Sequence, residues 1–236
     1  MTDTLDREET DKETPLSRLK DTPDWLYLLR EFEGLYRKGS AGGSTSIRSH
    51  RKRVRDTLSA VIGTNPQIVV REPTTKPVTA HFGRALDLAE RGAMQNVARA
   101  LREVRSQLTW EYGYDRASRS LRQKYAFCEI LGPRGPVYAE DLVLGFVLFA
   151  PSTTYPQHSH PDIEESYISI AGAWSENDAA VYAPGSLILN KAAQEHRITT
   201  GEVDPSLLAY AWTGPRARLA NPSMKLSSTR RARAVH

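Results

Sequence analysis

The stretch His158-Ser159-His160-Pro161-Asp162-Ile163-Glu164-Glu165-Ser166-Tyr167-Ile168-Ser169-Ile170-Ala171-Gly172 sets two histidines two residues apart, then a carboxylate and a tyrosine two apart, then a β-branched run closed by glycine. In an extended chain residues i and i+2 point to the same side, so His158 and His160 share one face. Glu165 and Tyr167 share a face on the strand that follows. His196 recurs on a later segment. Imidazole nitrogens and a carboxylate on neighbouring strands can converge on one divalent ion, and this ligand set suits zinc, iron(II), manganese, cobalt or nickel. Cys128 is the only cysteine, which excludes an intramolecular disulfide and a cysteine-based zinc site. A nitrogen and oxygen site in a β-structure usually keeps a position open for water or substrate.

Outward from this stretch the period stays at two. YAFCEIL from Tyr125, then LVLGFVLFA, SYISIAG, AAVYA, SLILN, HRITT and SLLAYAW are short and rich in Val, Ile, Tyr, Phe and Trp, with turns such as Pro184-Gly185 between them. Many short strands at this spacing predict an antiparallel sandwich or barrel over residues 122–215. Upstream, residues 16–121 read as helical. Trp25, Leu28, Leu29, Phe32 and Tyr36 form one helical face behind the Thr22-Pro23 start signal. Gly39 to Gly43 breaks the chain, and further helices are predicted from Ser46 to Ile62, about Val78 to Glu90, and Ala93 to Leu108. The face around Trp25 and Phe32 is expected to serve as core or as the contact of a homodimer.

The two ends differ from the rest. Residues 1–15 are acidic and polar, lacking the basic start and apolar stretch of a secretory signal, and are expected to be disordered. Residues 216–236 carry six basic groups and no acid, without hydrophobic periodicity, and predict a flexible tail. Removing those six takes the net charge from +4 to −2, so the folded part gives no reason to expect a nucleic-acid partner. No apolar run approaches the roughly 20 residues of a membrane-spanning helix. A cytoplasmic protein acting on a small molecule is the expectation. His50 and His81 read as core or surface histidines, and Cys128 as a small buried hydrophobe.

HSHPDIEESYISIAG matches the pattern HxH-x4-E-x6-G with His158, His160, Glu165 and Gly172 in register, and so resembles the first motif of the cupins. The second motif is looser, with ten residues between Gly185 and His196 where the usual pattern has two. Within that superfamily the chain resembles the bacterial dimethylsulfoniopropionate (DMSP) lyases of the DddL/DddQ type. That resemblance rests on Tyr155-Pro156 ahead of the histidines, the Glu165-x-Tyr167 step, Pro184-Gly185 before His196, and the strand Leu207-Leu208-Ala209-Tyr210-Ala211-Trp212. It implies a mainly β protein: a C-terminal cupin (jelly-roll) barrel behind an N-terminal α-helical region.

The resemblance also implies one divalent metal ion held by His158, His160, Glu165 and His196, with Glu164 as the fallback carboxylate. The implied reaction is β-elimination of DMSP to dimethyl sulfide and acrylate. Tyr167 is the candidate base, and a further candidate ligand of the metal, because a nearby dication favours phenolate. A sulfonium has no N–H donor and is best held by aromatic faces, for which Tyr155, Trp212 and Trp174 are the candidates. Two other classes fit the same ligands: a sugar isomerase or dioxygenase on the cupin scaffold, and a non-catalytic cupin that binds a small ligand.

Overall fold

The computed structural model describes residues 17–38, 43–69, 71–113 and 118–226. The readings of the acidic N-terminus, of the break at Gly39 to Gly42 and of residues 227–236 lie outside the described residues. Among the described residues no helix is long and apolar enough to cross a membrane.

Among the described residues four α-helices come first, with short 3-10 turns at Leu19–Asp21 and Pro77–His81: α1 (Pro23–Lys38), α2 (Thr45–Thr64), α3 (Phe82–Glu90) and α4 (Gln95–Glu103). The predicted face of α1 is buried along its length, with Trp25 3% and Phe32 0% exposed, so it is core within the chain. Ser44 caps α2, its hydroxyl accepting from the Ile47 amide, and Asn65 ends the helix in the left-handed conformation (φ 51°). The helix predicted to Leu108 is α-helical only to Glu103; a 3-10 turn over Arg105–Gln107 continues it, and the chain becomes extended at Leu108, where Leu108 and Trp110 bond the backbone of Thr74.

The remaining elements are β1 (Trp110–Glu111), α5 (Arg119–Arg122), β2 (Tyr125–Leu131), β3 (Val143–Phe149), β4 (Thr154–Ser159), β5 (Glu164–Ala171), β6 (Trp174–Glu176), β7 (Val181–Tyr182), β8 (Leu187–Asn190), β9 (His196–Thr200), β10 (Ser206–Thr213), α6 (Arg216–Ala220) and β11 (Lys225–Leu226). They form two antiparallel sheets, ordered β1-β2-β3-β10-β5-β8 and β11-β4-β9-β6-β7. The expected jelly roll is present as these two sheets. Helix and strand also occupy residues 216–226, where the sequence predicts a flexible tail.

Strand alternation divides the larger sheet into two faces. Ala126, Cys128, Leu144, Phe146, Leu148, Ile168, Ile170, Leu207 and Ala209 join the helices in one hydrophobic core. Tyr125, Val147, Phe149, Tyr167, Leu208 and Tyr210 point the other way, into a second core shared with Tyr155, Trp174 and Ile198 of the smaller sheet. β3 is buried at every position because both its faces are covered, which explains its unbroken apolar run. Gly145 in β3 is required by close approach: a Cβ there would lie 2.1 Å from the Cys128 carbonyl and 2.5 Å from the Tyr210 hydroxyl. Gly172, with φ 77°, ends β5 where a Cβ would meet the Pro205 carbonyl at 2.4 Å.

β5 carries site residues on one face and a polar clamp on the other. Ser166, fully buried, bonds the Tyr36 hydroxyl and His50 Nε2, each at 2.8 Å. Glu164 Oε2 lies 3.4 Å from His50 Nδ1 and accepts from Arg53 at 2.7 Å. Serine, histidine and carboxylate stand in the order of a nucleophilic triad, but Ser166 faces the helices without access, so this group fastens β5 to α1 and α2. Burial lowers the pKa of His50 and favours its neutral form. Truncating His50 to alanine removes a partner from Ser166 and opens a hole between helix and sheet. The unfolding free energy is expected to fall by about 2–4 kcal/mol, seen as a lower urea midpoint with the slope unchanged. A midpoint equal to that of the wild type would show that the clamp contributes nothing.

Candidate functional site

The inner faces of β4, β5 and β9 meet at one end of the sandwich. His158 stands opposite His196 across the β4–β9 ladder, and their ring centroids are 4.1 Å apart. His160 follows at the end of β4, its ring 5.2 Å from that of His158. Glu165 enters from β5, with Oε2 3.0 Å from His196 Nε2 and 3.6 Å from His160 Nε2. Potential ligand atoms of these four residues lie within 4.8 Å of one another, and all four side chains are buried. Glu165 faces the histidines, whereas Glu164 lies on the opposite face with Arg53 and His50.

The surroundings of this group orient donor atoms that could hold a cation. Carbonyls of Pro156 and Gln194 lie 2.9 Å and 3.2 Å from Nδ1 of His158 and His196. If each Nδ1 carries the proton donated to its carbonyl, the Nε2 lone pairs are left for the centre. The Trp212 indole donates to Glu165 Oε1 at 2.6 Å, which leaves Oε2 for the same space. Oε2 of Glu165 and Nε2 of His196 are buried without a well-aligned hydrogen bond, an arrangement costly for polar atoms that have no further partner. Burial, then the charge of His196, lowers the pKa of His158 to about 4, and burial lowers that of His160. Burial alone would raise the Glu165 carboxyl, but the imidazoles of His160 and His196 outweigh it and hold it far below its ordinary range. His196 is the converse: burial lowers it, and the Glu165 carboxylate more than restores it. Two imidazoles that resist protonation, beside a carboxylate that resists neutralisation, are donors suited to a divalent ion.

A cavity of about 140 Å³, partly open to solvent, adjoins the group. His158, His160, Glu165, Tyr167 and Trp212 form its polar end; Tyr112, Tyr125, Phe127, Phe149, Tyr155 and Tyr210 form an aromatic wall. Tyr155 packs against Tyr125 at 4.8 Å, Phe149 at 5.7 Å and His158 at 5.0 Å between ring centroids. Glu111 and Arg134 also line the space, with Arg134 paired to Glu129 at 3.2 Å. Tyr167 is 5% exposed, and burial together with Glu165 pushes its hydroxyl well above the ordinary phenol value.

Of the residues read from sequence, Tyr155, His158, His160, Glu165, Tyr167 and Trp212 line this cavity, and His196 stands behind them. Trp174 does not. Its buried ring packs between Tyr167 at 6.0 Å and Tyr182 at 5.1 Å, so it supports Tyr167 from behind. Tyr125, Phe149 and Tyr112 line the cavity as well, outside any motif, although the alternation of Tyr125 and Phe127 in β2 puts both on one face. Cys128 faces the helices and is fully buried, its thiol pushed up to about 12 by burial.

A family model described as DMSP lyase matches residues 50–208. A protein of Cereibacter sphaeroides provisionally named dimethylsulfoniopropionate lyase DddL is 69% identical over 216 residues, covering 92% of this chain and 93% of that one. The crystal structure of DMSP lyase DddQ from Ruegeria pomeroyi DSS-3 superposes on 87% of this chain and 97% of its own, with a TM-score of 0.66 at 20% identity. A structure described with the DMSP lyases RdDddP and RnDddQII gives a TM-score of 0.64 at 19% identity, over 87% of this chain and 98% of its own. At those identities the structural likeness establishes the fold.

Proposed function

This chain belongs to the DMSP lyase family, and on that premise we propose that it cleaves DMSP to dimethyl sulfide and acrylate by a metal-assisted β-elimination with Tyr167 as the base. The observation that carries the proposal is the convergence of His158, His160, Glu165 and His196 within 4.8 Å at the wall of an aromatic cavity. When held by these four side chains, a divalent ion would supply Lewis acidity at the substrate carboxylate and ease negative charge on the neighbouring carbon. Imidazole with carboxylate leaves zinc, iron(II), manganese, cobalt and nickel all admissible.

Tyr167 follows Glu165 by two residues on β5 and therefore faces the same space. Its hydroxyl is held neutral by burial and by the Glu165 charge. It becomes a base near neutral pH only if positive charge is added beside it, so the base and the ion stand or fall together. The phenolate takes the proton from the carbon next to the carboxylate. The C–H electron pair becomes the new C=C bond, the C–S bond breaks, and its pair leaves on sulfur as neutral dimethyl sulfide. The sulfur is already cationic, so no general acid is required. Tyr155, Tyr125 and Phe149 offer ring faces to the sulfonium, each worth roughly 0.5–2 kcal/mol depending on desolvation.

Incubating the purified chain with DMSP tests this reading. Dimethyl sulfide in the headspace and acrylate in solution are expected in equal amounts, and a chelator is expected to stop both. Release of sulfide with 3-hydroxypropionate in place of acrylate would count against elimination, and absence of both products would count against the activity.

A further inference from the structure

The chain after Pro215 returns across the site. Helix α6 is fastened by Leu219, fully buried in the core between the sheets, and by ion pairs from Arg216 to Asp141 at 2.6 Å and from Arg218 to Asp162 at 3.2 Å. β11 then runs antiparallel along β4, with Lys225 opposite Ser159 and Leu226 opposite His158. The segment between them brings Pro222, Ser223 and Met224 into the cavity wall. The Tyr155 hydroxyl donates to Met224 Sδ at 3.8 Å.

We propose that Met224 is a specificity-determining residue of this enzyme, closing the cavity around the dimethylsulfonium head of the substrate and setting the size of head that fits. The inference rests on the DMSP reading given above. The cavity has two chemically different sides. Buried imidazoles and Glu165 occupy one, and that side takes the substrate carboxylate. Tyr155, Tyr125, Phe149 and Met224 contribute ring faces and a polarisable thioether away from the imidazoles, which suits a cation without N–H donors and offers a carboxylate little; Glu111 and Arg134, the latter paired to Glu129, line the same cavity. Tyr155 links the two sides, its ring 5.0 Å from that of His158 and its hydroxyl on Met224. Sδ thus fixes the hydroxyl of the aromatic residue next to the head, while the bulk of the side chain limits the room for groups larger than methyl.

The test uses the full chain as wild type, M224A and M224L, with DMSP and its diethylsulfonio analogue as substrates. Dimethylsulfonioacetate, which has head and carboxylate but no carbon from which elimination can occur, serves as a binding probe read by tryptophan fluorescence. In M224A the KM for DMSP is expected to rise about fivefold, the scale of a lost hydrogen bond. Its preference for the diethyl over the dimethyl substrate is expected to rise by about tenfold. M224L, of similar volume, is expected to keep the wild-type preference while still binding DMSP more weakly. Equal changes for both substrates in M224A, or none, would overturn the proposal while leaving the lyase reading intact. If the wild type cleaves no DMSP, the lyase reading falls by itself: weaker probe binding by M224A still supports Met224 at the head, and unchanged binding overturns it.

Discussion

Replacing Tyr167 by phenylalanine is expected to lower kcat by about 10²–10⁴-fold, the span of a lost general base, with bound metal unchanged. The substitution keeps the ring that packs on Trp174 and removes only the hydroxyl beside Glu165. The variant keeps all four imidazole and carboxylate donors, so its metal analysis should match the wild type. Deuterium on the carbon next to the carboxylate should slow the wild type if C–H cleavage limits turnover. Wild-type rates in Tyr167→Phe would assign the proton to another group. Joint loss of metal and activity would instead make Tyr167 a ligand.

His196→Ala is expected to abolish both metal binding and turnover, with kcat/KM down on the order of 10³-fold or more. His196 stands opposite His158 in the ladder and closest of the histidines to the Glu165 carboxylate, at 3.0 Å. Without it the set loses a donor and Glu165 keeps its burial with one fewer compensating imidazole, which also destabilises the fold. A circular dichroism spectrum like that of the wild type, together with an empty metal analysis, is the expected pair of results. Full metal occupancy in His196→Ala would show that the ion is held elsewhere.

Much of this site was legible because a strand converts spacing into direction. The two-residue steps at His158–His160 and Glu165–Tyr167 fix which side chains share a face, and Glu164 is turned to the helices by the same rule. Sheet order was not legible. Tyr125 and Phe149 reach the cavity because β2 and β3 lie beside β10 and β5, a pairing between segments far apart in sequence. Trp174 has the aromatic character of a pocket residue, but its place between Tyr167 and Tyr182 depends on the pairing of β6 with β7, where it stands opposite Tyr182. The return of residues 216–226 is similarly invisible to local pattern: a single buried leucine and a two-residue strand leave no period to read. Helix faces were legible from α1, whereas the switch to extended chain at Leu108 coincides with bonds to Thr74, a partner distant in sequence.

The most direct test is to strip the wild-type chain with a chelator, return a divalent ion in fractions of an equivalent, and record bound ion and acrylate production in the same samples. Turnover should be absent without the ion, climb in proportion to occupancy, and level off at one ion per chain. Undiminished acrylate production by a chain shown to carry no ion would contradict the joint role of the four side chains and Tyr167.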